Sequence, residues 1–545
     1  MIRNISMETR WRLLIVFVSL LMFLLFNGSV HLFDWDEINF AESAREMIST
    51  GDYSTVRINF IPFWEKPPLF IWMQVLSMKL FGINEFAARF PNTICGVLTL
   101  LTLFEIGKIL KNYKFGLLWA LAYGASVLPF VYFKSGIIDP WFNLFIFASL
   151  YFIFRHFDHR ESNHKGFLNV ILSGIILGLA VLTKGPVAIL LFGVTISIFI
   201  IIQRKIKVLK RKDVLLFTFV LIITGGAYHI YQMLLGNWQL IYDFFMYQLR
   251  LMKTEDAGHG GSVLYHPLVL FIGVFPSSIL ALNAFFKKSS VNNDFRRLMV
   301  VLFLVVLVIF SLVQTKIVHY SSLCYFPLSY LAAVSVYDIC FKGGSLSALN
   351  KVMLSLAGVI YAIIPGLLQL ISTSISPEVL KKFIDDDFAL ACINSTVYWS
   401  GYEFMLGLAF GITVIFSVFY LHGIRQVLTI YGSTALLIFM FMFILVPKIE
   451  KYSQGPAIAF ISAFKGKPVW VSTLGYYSYA PYFYADKPKR ACQEIDEQEF
   501  LLHGNTGCDV YFVTKITELQ SIIDQNPQLV VVKQNGGFVL LKRIK

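Results

Sequence analysis

Residues 33–68 read FDWDEINFAESAREMISTGDYSTVRINFIPFWEKPP, a long polar segment between two strongly apolar regions. The segment holds Asp34, Asp36, Glu37, Glu42, Glu46, Asp52 and Glu65 in a chain where only 14% of residues are charged. Acids concentrated beside a membrane span point to a functional site, because charge near lipid is costly and is kept where it is used. The plain alternative is a solvated loop whose acids face water. Two positions weigh against it. Asp36-Glu37 falls where the first apolar run ends, and Glu65-Lys66-Pro67-Pro68 closes the segment with a Pro pair of fixed φ before the next apolar run.

The rest of the composition agrees. Of 545 residues, 57% are hydrophobic, whereas a soluble domain carries roughly 25% charged residues. An integral membrane protein is the reading that fits. Lys and Arg number 46 against 33 Asp and Glu, a net charge of +13. The bases cluster in short loops between apolar runs, the positive-inside pattern, so the excess does not point to nucleic acid. No P-loop or Gly-rich dinucleotide signature offers a seat for a soluble nucleotide. The six Cys lack metal-type spacing; Cys492 and Cys508 lie in the polar tail, where an oxidising compartment would let them pair.

Arg3, Arg10 and Arg12 precede the apolar run Leu13–Phe26. No small-residue cleavage site follows, so this is an uncleaved first span with a cytoplasmic N-terminus. The acidic loop 30–66 then lies outside. Leu69–Phe81 is short for a crossing of ~20 residues and reads as an interfacial helix. Spans follow at 86–110, 115–133, 141–154, 167–183, 186–202, 214–235, 267–286, 298–315, 320–340, 351–371, 401–421 and 428–446. The total is about 13 by that length rule, with external loops at 236–266 and 372–400. From 448 the texture changes. Val469–Ser472, Asp509–Val513, Leu529–Lys533 and Gly537–Lys542 read as strands, with a helix over 516–524. A membrane region over 1–447 and a small extracytoplasmic α/β domain over 448–545 are expected. Tyr476, Tyr477, Tyr479, Tyr482 and Tyr484 open that domain and read as an amphipathic rim against the membrane or the bundle.

With this topology the polar residues near span ends gather at the outer face. Asp36, Glu37, Glu65 and Lys66 come from the first loop, Asp139 from KSGIIDPW and Lys184 from LTKGP. Arg250 and His259 lie in the loop 236–266, and Lys316, His319 and Tyr320 in TKIVHY. Each alone reads as a snorkelling base or a capping acid; together they form a mixed acid and base cluster. Lys66, Lys184, Arg250 and Lys316 suit a phosphate leaving group. Asp36 or Asp139 suits an attacking alcohol as proton acceptor, and nearby carboxylates stabilise an oxocarbenium-like transition state. Glu65 with His259 admits a divalent metal. A transporter of a lipid-linked sugar is the rival reading, but the halves show no internal repeat of the kind secondary transporters carry.

DEINFAESAREMISTGDY, FWEKPPLFIW, INEFAARFPN, IIDPW, LTKGPVA and TKIVHYSSLCYFP together resemble the polyprenyl-phosphate-dependent GT-C glycosyltransferases. The similarity is to the aminoarabinose lipid A transferases of ArnT type, with the protein O-mannosyltransferases more distant. It covers the membrane region, most strongly residues 34–190. The resemblance implies inverting transfer of a sugar from a polyprenyl phosphate to a glycolipid, another glycan or a protein hydroxyl, without a nucleotide. It places the protein in a bacterial inner membrane, with the site and tail facing the periplasm. Asp36 then matches the acid of the first loop, with Glu37 beside it, and Asp139 that of the second. Lys66 matches the lipid-phosphate ligand, Glu65 the carboxylate that can hold a metal, Lys184 the site lysine and Arg250 the phosphate-binding Arg. Lys316 and Tyr320 join the donor side. Two departures stand out. Ile38-Asn39 follows Asp36-Glu37 where the ArnT type reads DEPR, and the loop after Phe245 lacks the acidic and His pair before its Arg. They leave the donor sugar, the acceptor and the metal open.

Overall fold

The computed structural model describes residues 6–158, 163–204, 210–253, 260–286, 291–487 and 497–544. The chain is mainly helical, and the helices form a membrane bundle capped at one end by a small sheet. Among the described residues, seven helices are long and apolar enough to cross a membrane, or eight counting the bent pair Tyr265–Gly273 and Ser277–Phe285 as one span. Their surfaces confirm the medium. On the helix Ala348–Thr373, Leu349, Val352, Leu356, Ile360, Ile363, Leu367 and Leu370 are exposed at three- and four-residue spacing. That is a continuous apolar stripe, which lipid satisfies and water does not.

Local signals set the helix ends. The first helix, Met7–Leu24, starts where the Ser6 hydroxyl accepts from the Thr9 amide at 3.2 Å. At its far end the Lys134 ammonium donates to the carbonyls of Met22, Phe23 and Leu25, the last at 2.6 Å. Asn84 and Asn112 cap the helices Glu85–Leu110 and Tyr113–Gly124 in the same way as Ser6. The expected interfacial segment is the 13-residue helix Leu69–Phe81.

Two spans expected to be continuous are broken. The run 115–133 divides into Tyr113–Gly124 and Val127–Tyr132, and 267–286 bends by 111°. Pro276 cannot continue a helix. The breaks face each other and satisfy each other's freed polar groups, as a low-dielectric interior requires. The Val127 amide donates to the Phe275 carbonyl at 3.1 Å, and Ser126 Oγ to Ser277 Oγ at 2.9 Å. The segment 236–266, read as a loop, contains the helix Trp238–Lys253.

In the acidic segment, Asp36–Thr50 is a helix ended by Gly51 at φ 71°. Strands β1 (Arg57–Ile58) and β2 (Ile61–Pro62) then form a short hairpin. The tail holds β3 (Val469–Thr473), β4 (Asp509–Lys515), β5 (Leu529–Asn535) and β6 (Phe538–Arg543), in the order β3-β4-β6-β5. β3 and β4 run parallel and the other pairs antiparallel. Period-two alternation gives the sheet two apolar faces. Val510, Phe512, Val539 and Leu541 make the tail's own core with Leu501 and Ile522. Val513, Phe538 and Leu540 turn the other way and share a core with Ile38, Ala41, Ala44 and Met47 of the acidic helix. The tail is therefore seated on the first loop. Gly537 lets the segment 387–393 close in, since a Cβ there would lie 2.7 Å from Cys392 Sγ. Cys508 is a free thiol; Cys492 lies outside the described residues.

Candidate active site

Four segments meet at the tail-side end of the bundle. The first loop supplies Asp36, at the first position of its helix and partly exposed. Asp139 opens the helix Asp139–Asp158 and is buried. Lys184 ends the helix Asn163–Lys184. His319 and Tyr320 come from the 3-10 turn Val318–Cys324.

Lys184 Nζ donates to Asp139 Oδ1 at 2.6 Å, and its ammonium lies 5.0 Å from the centre of the Tyr320 ring. His319 Nε2 lies 3.8 Å from Asp139 Oδ2 and 3.5 Å from Asp36 Oδ2, so the imidazole stands between the two carboxylates. The charges of Asp139, Lys184, Asp36 and Lys66 all act on this ring. His319 was visible in TKIVHY, but nothing in its spacing from Asp36 and Asp139 announces that it bridges them.

The cationic side is assembled by the helix Trp238–Lys253. Gly185 takes φ 98°, and a Cβ there would sit 2.8 Å from the Phe244 ring, so glycine lets this helix lie directly on the Lys184-Gly185-Pro186 turn. One turn on, Tyr247 packs edge-on against Trp64 at 5.4 Å. The Lys66 ammonium is 5.2 Å and the Arg250 guanidinium 5.1 Å from the Tyr247 ring centre. Lys66 and Arg250 thus gather around one aromatic ring.

On the Asp36 side a cavity of about 490 Å³ opens. Its lining is largely apolar, including Phe26, Phe33, Ile317 and Met442, with Asp36 and His319 among its polar groups.

Two expected site residues have other work. Glu37, paired with Asp36 as catalytic in the sequence reading, is buried with both carboxylate oxygens occupied. It accepts from Arg89 Nε at 3.0 Å and Nη2 at 2.8 Å, from the Phe33 amide at 2.8 Å and from the Gly136 amide. These partners hold its carboxyl below the ordinary glutamate range against burial, which pushes the other way. Arg89 also donates to the Asn27, Val30 and His31 carbonyls, so it and Glu37 lock the end of the first helix to the loop. INEFAARFPN contains this Arg, but only its contacts reveal the role. Lys316, expected on the donor phosphate, instead donates to the Phe310, Ser311 and Val313 carbonyls at 3.2, 2.7 and 2.5 Å. It caps the helix Asn293–Leu312.

The metal expectation rested on Glu65 and His259. His259 lies outside the described residues, and Glu65 Oε2 faces the Lys66 ammonium at 3.9 Å. Among the described residues no group of three or more His, Cys, Asp or Glu side chains is placed to hold a metal ion.

Residues 65–227 match the family model described as dolichyl-phosphate-mannose-protein mannosyltransferase. A Pectobacterium atrosepticum protein, undecaprenyl phosphate-alpha-4-amino-4-deoxy-L-arabinose arabinosyl transferase, is 27% identical over 325 residues, 59% of this chain. The chain spans 58% of that relative's length. An uncharacterised Aquifex aeolicus protein is 30% identical over 321 residues, 58% of this chain and 71% of that one. Among solved structures, ArnT from Cupriavidus metallidurans bound to undecaprenyl phosphate superposes with a TM-score of 0.76 at 18% identity, covering 98% of each chain. Family match, relatives and shared architecture converge: the chain belongs to the GT-C glycosyltransferase family in its ArnT-like branch.

Proposed function

We propose that the protein transfers a sugar from a polyprenyl phosphate to an acceptor at the periplasmic face of a bacterial inner membrane. In this reading residues 1–447 form the membrane catalytic region and 448–545 the periplasmic domain. The observation that carries it is the polarity of the site. Lys66 and Arg250 gather around one tyrosine ring, and the Asp36 carboxylate lines a cavity whose surface is largely apolar.

A glycosyl phosphate leaves as an anion, and Lys66 and Arg250 supply positive charge where that anion develops. Lys184 adds charge beside them while neutralising Asp139, which places a buried carboxylate near the developing oxocarbenium character. An acceptor hydroxyl in the cavity would give its proton to Asp36 Oδ, with the His319 imidazole orienting that carboxylate. Attack by the acceptor as the phosphate departs, with no covalent intermediate, is a single displacement and inverts the sugar. The apolar lining of the cavity favours a lipid-anchored acceptor, a lipid A-like glycolipid, over a protein hydroxyl.

The test is transfer from a panel of radiolabelled polyprenyl-phospho-sugars by purified protein in detergent, with glycolipid and peptide acceptors. Label should pass to a glycolipid with the wild type and not with Asp36→Asn. Labelled donor lipid crossing proteoliposomes without being consumed would overturn the enzyme reading.

A further inference from the structure

Trp35 holds a backbone conformation that a residue with a side chain rarely adopts, with φ 74° and ψ −105°. Polar contacts keep it there. Asp34 Oδ1 accepts from the Trp35 amide at 2.9 Å and from the Tyr479 amide of the tail at 3.1 Å. The Asp34 amide in turn donates to Gln454 Oε1 at 3.0 Å. First loop and tail therefore clamp this one residue between them. Strain of this kind persists where the surroundings over-determine it, and it clusters at binding sites.

The clamp does not bury the indole. Trp35 is 48% exposed, and Tyr477, whose ring centre lies 5.8 Å away at an interplanar angle of 47°, is 54% exposed. Tyr479 packs edge-on against both rings. Tyr477 meets the buried Tyr479 ring edge-on at 5.1 Å, so its ring is braced as well as open. The other tyrosines of this stretch behave as an inward rim, with Tyr479 and Tyr484 buried in the junction; Tyr477 is the exception. Carboxylates flank Trp35 in the chain, Asp34 before it and Asp36 after it, and the charges of Asp34 and Glu65 reach Tyr477. A bilayer anchor explains exposed aromatic rings, but it requires neither a strained backbone nor a partner ring presented by a second segment. Two fixed aromatic faces bordered by carboxylates match a sugar ring. Its C–H face lies on the aromatic surface and its hydroxyls donate to the acids.

We propose that Trp35 and Tyr477 form a sugar-stacking subsite beside Asp36, which rests on the transferase reading above. Its half-open position assigns it to the first sugar of the acceptor headgroup. The donor sugar shares the same chemistry, and the arms of the test separate the two.

The full-length protein is compared with Trp35→Gly, Trp35→Phe, Tyr477→Ala and Tyr477→Phe. Glycine suits the positive φ and removes the strain, so Trp35→Gly tests the ring without endangering the fold. Trp35→Gly and Tyr477→Ala should each raise the acceptor KM about tenfold with kcat nearly unchanged, and the Phe variants should restore binding. A rise in the donor KM alone would move the subsite to the donor sugar. Unchanged KM for both substrates overturns the proposal, and so does a loss of kcat alone, which would make Trp35 a positioning residue for Asp36. Should the wild type transfer no sugar at all, saturation-transfer NMR with a soluble glucosamine disaccharide decides separately. Signal with the wild type that is lost in Trp35→Gly upholds the subsite, and no signal with the wild type sinks it.

Discussion

His319 Nε2 stands 3.5 Å from Asp36 Oδ2, so a residue of the 3-10 turn 318–324 reaches the carboxylate that opens the first-loop helix. The imidazole therefore ties the cavity side of the site to the Asp139–Lys184 pair behind it. His319→Gln, which keeps a donor but loses the ring, should lower kcat by about 10²-fold, the lower end of acid–base assistance. Donor KM should barely move. Initial-rate kinetics with saturating donor measure this, and an unchanged kcat would remove His319 from the reacting centre.

Asp36 and Glu37 are adjacent, yet their variants should fail differently. Asp36 is partly exposed, so Asp36→Asn should insert and fold normally while transfer drops by about 10²–10⁴-fold. Glu37→Ala leaves the Arg89 guanidinium buried without its carboxylate and should cost about 3–5 kcal/mol of stability. Thermal unfolding in detergent, run beside the transfer assay, separates lost chemistry from lost fold.

Lys66 and Lys316 make a second contrast. Lys66→Ala should raise the donor KM strongly, because its ammonium is one of the two charges gathered at Tyr247. Lys316→Met should lower the melting temperature and leave the donor KM of the folded fraction nearly constant, since its three hydrogen bonds all go to helix-end carbonyls. An equal effect of both on the donor KM would contradict the assignment.

Lys184→Met strands the Asp139 carboxylate in a buried site and should destabilise by about 3–5 kcal/mol. Adding Asp139→Asn removes the orphan charge, so the double variant should regain much of that stability and none of the activity. A double-mutant cycle on melting temperature measures the coupling.

The junction of loop and tail should respond to pH. Burial, with the Glu42 carboxylate alongside, pushes the Glu46 carboxyl up to about 8. The folded protein then holds the Glu46 proton more tightly than the unfolded chain does. Its contribution is fully present in acid and is lost as pH rises from the ordinary glutamate range towards about 8. Melting temperature should fall over that window, and Glu46→Gln should flatten the fall. A wild-type profile that is already flat would refute this.

The sequence by itself determined the medium, the helical bundle, the four tail strands and the chemical character of the site. Those properties follow from composition, from apolar run length and from period-two alternation, all of which are local along the chain. Asp36, Asp139, Lys66 and Lys184 stood out as candidates for a related reason, as charges placed where charge is costly. What each charge does was decided only by the tertiary structure. Lys316 and Lys66 look alike as bases at span ends, but Lys316 is used up on helix-end carbonyls and Lys66 is not. Glu37 and Asp36 are neighbours, but the rotation of about 100° between adjacent helical residues sends Glu37 onto Arg89 and leaves Asp36 beside His319. The breaks at 125–126 and 274–276 were hidden too, because each is tolerated only through the polar groups of the other. Partners far apart in the chain determine these roles, and residue spacing carries no record of which distant groups will meet.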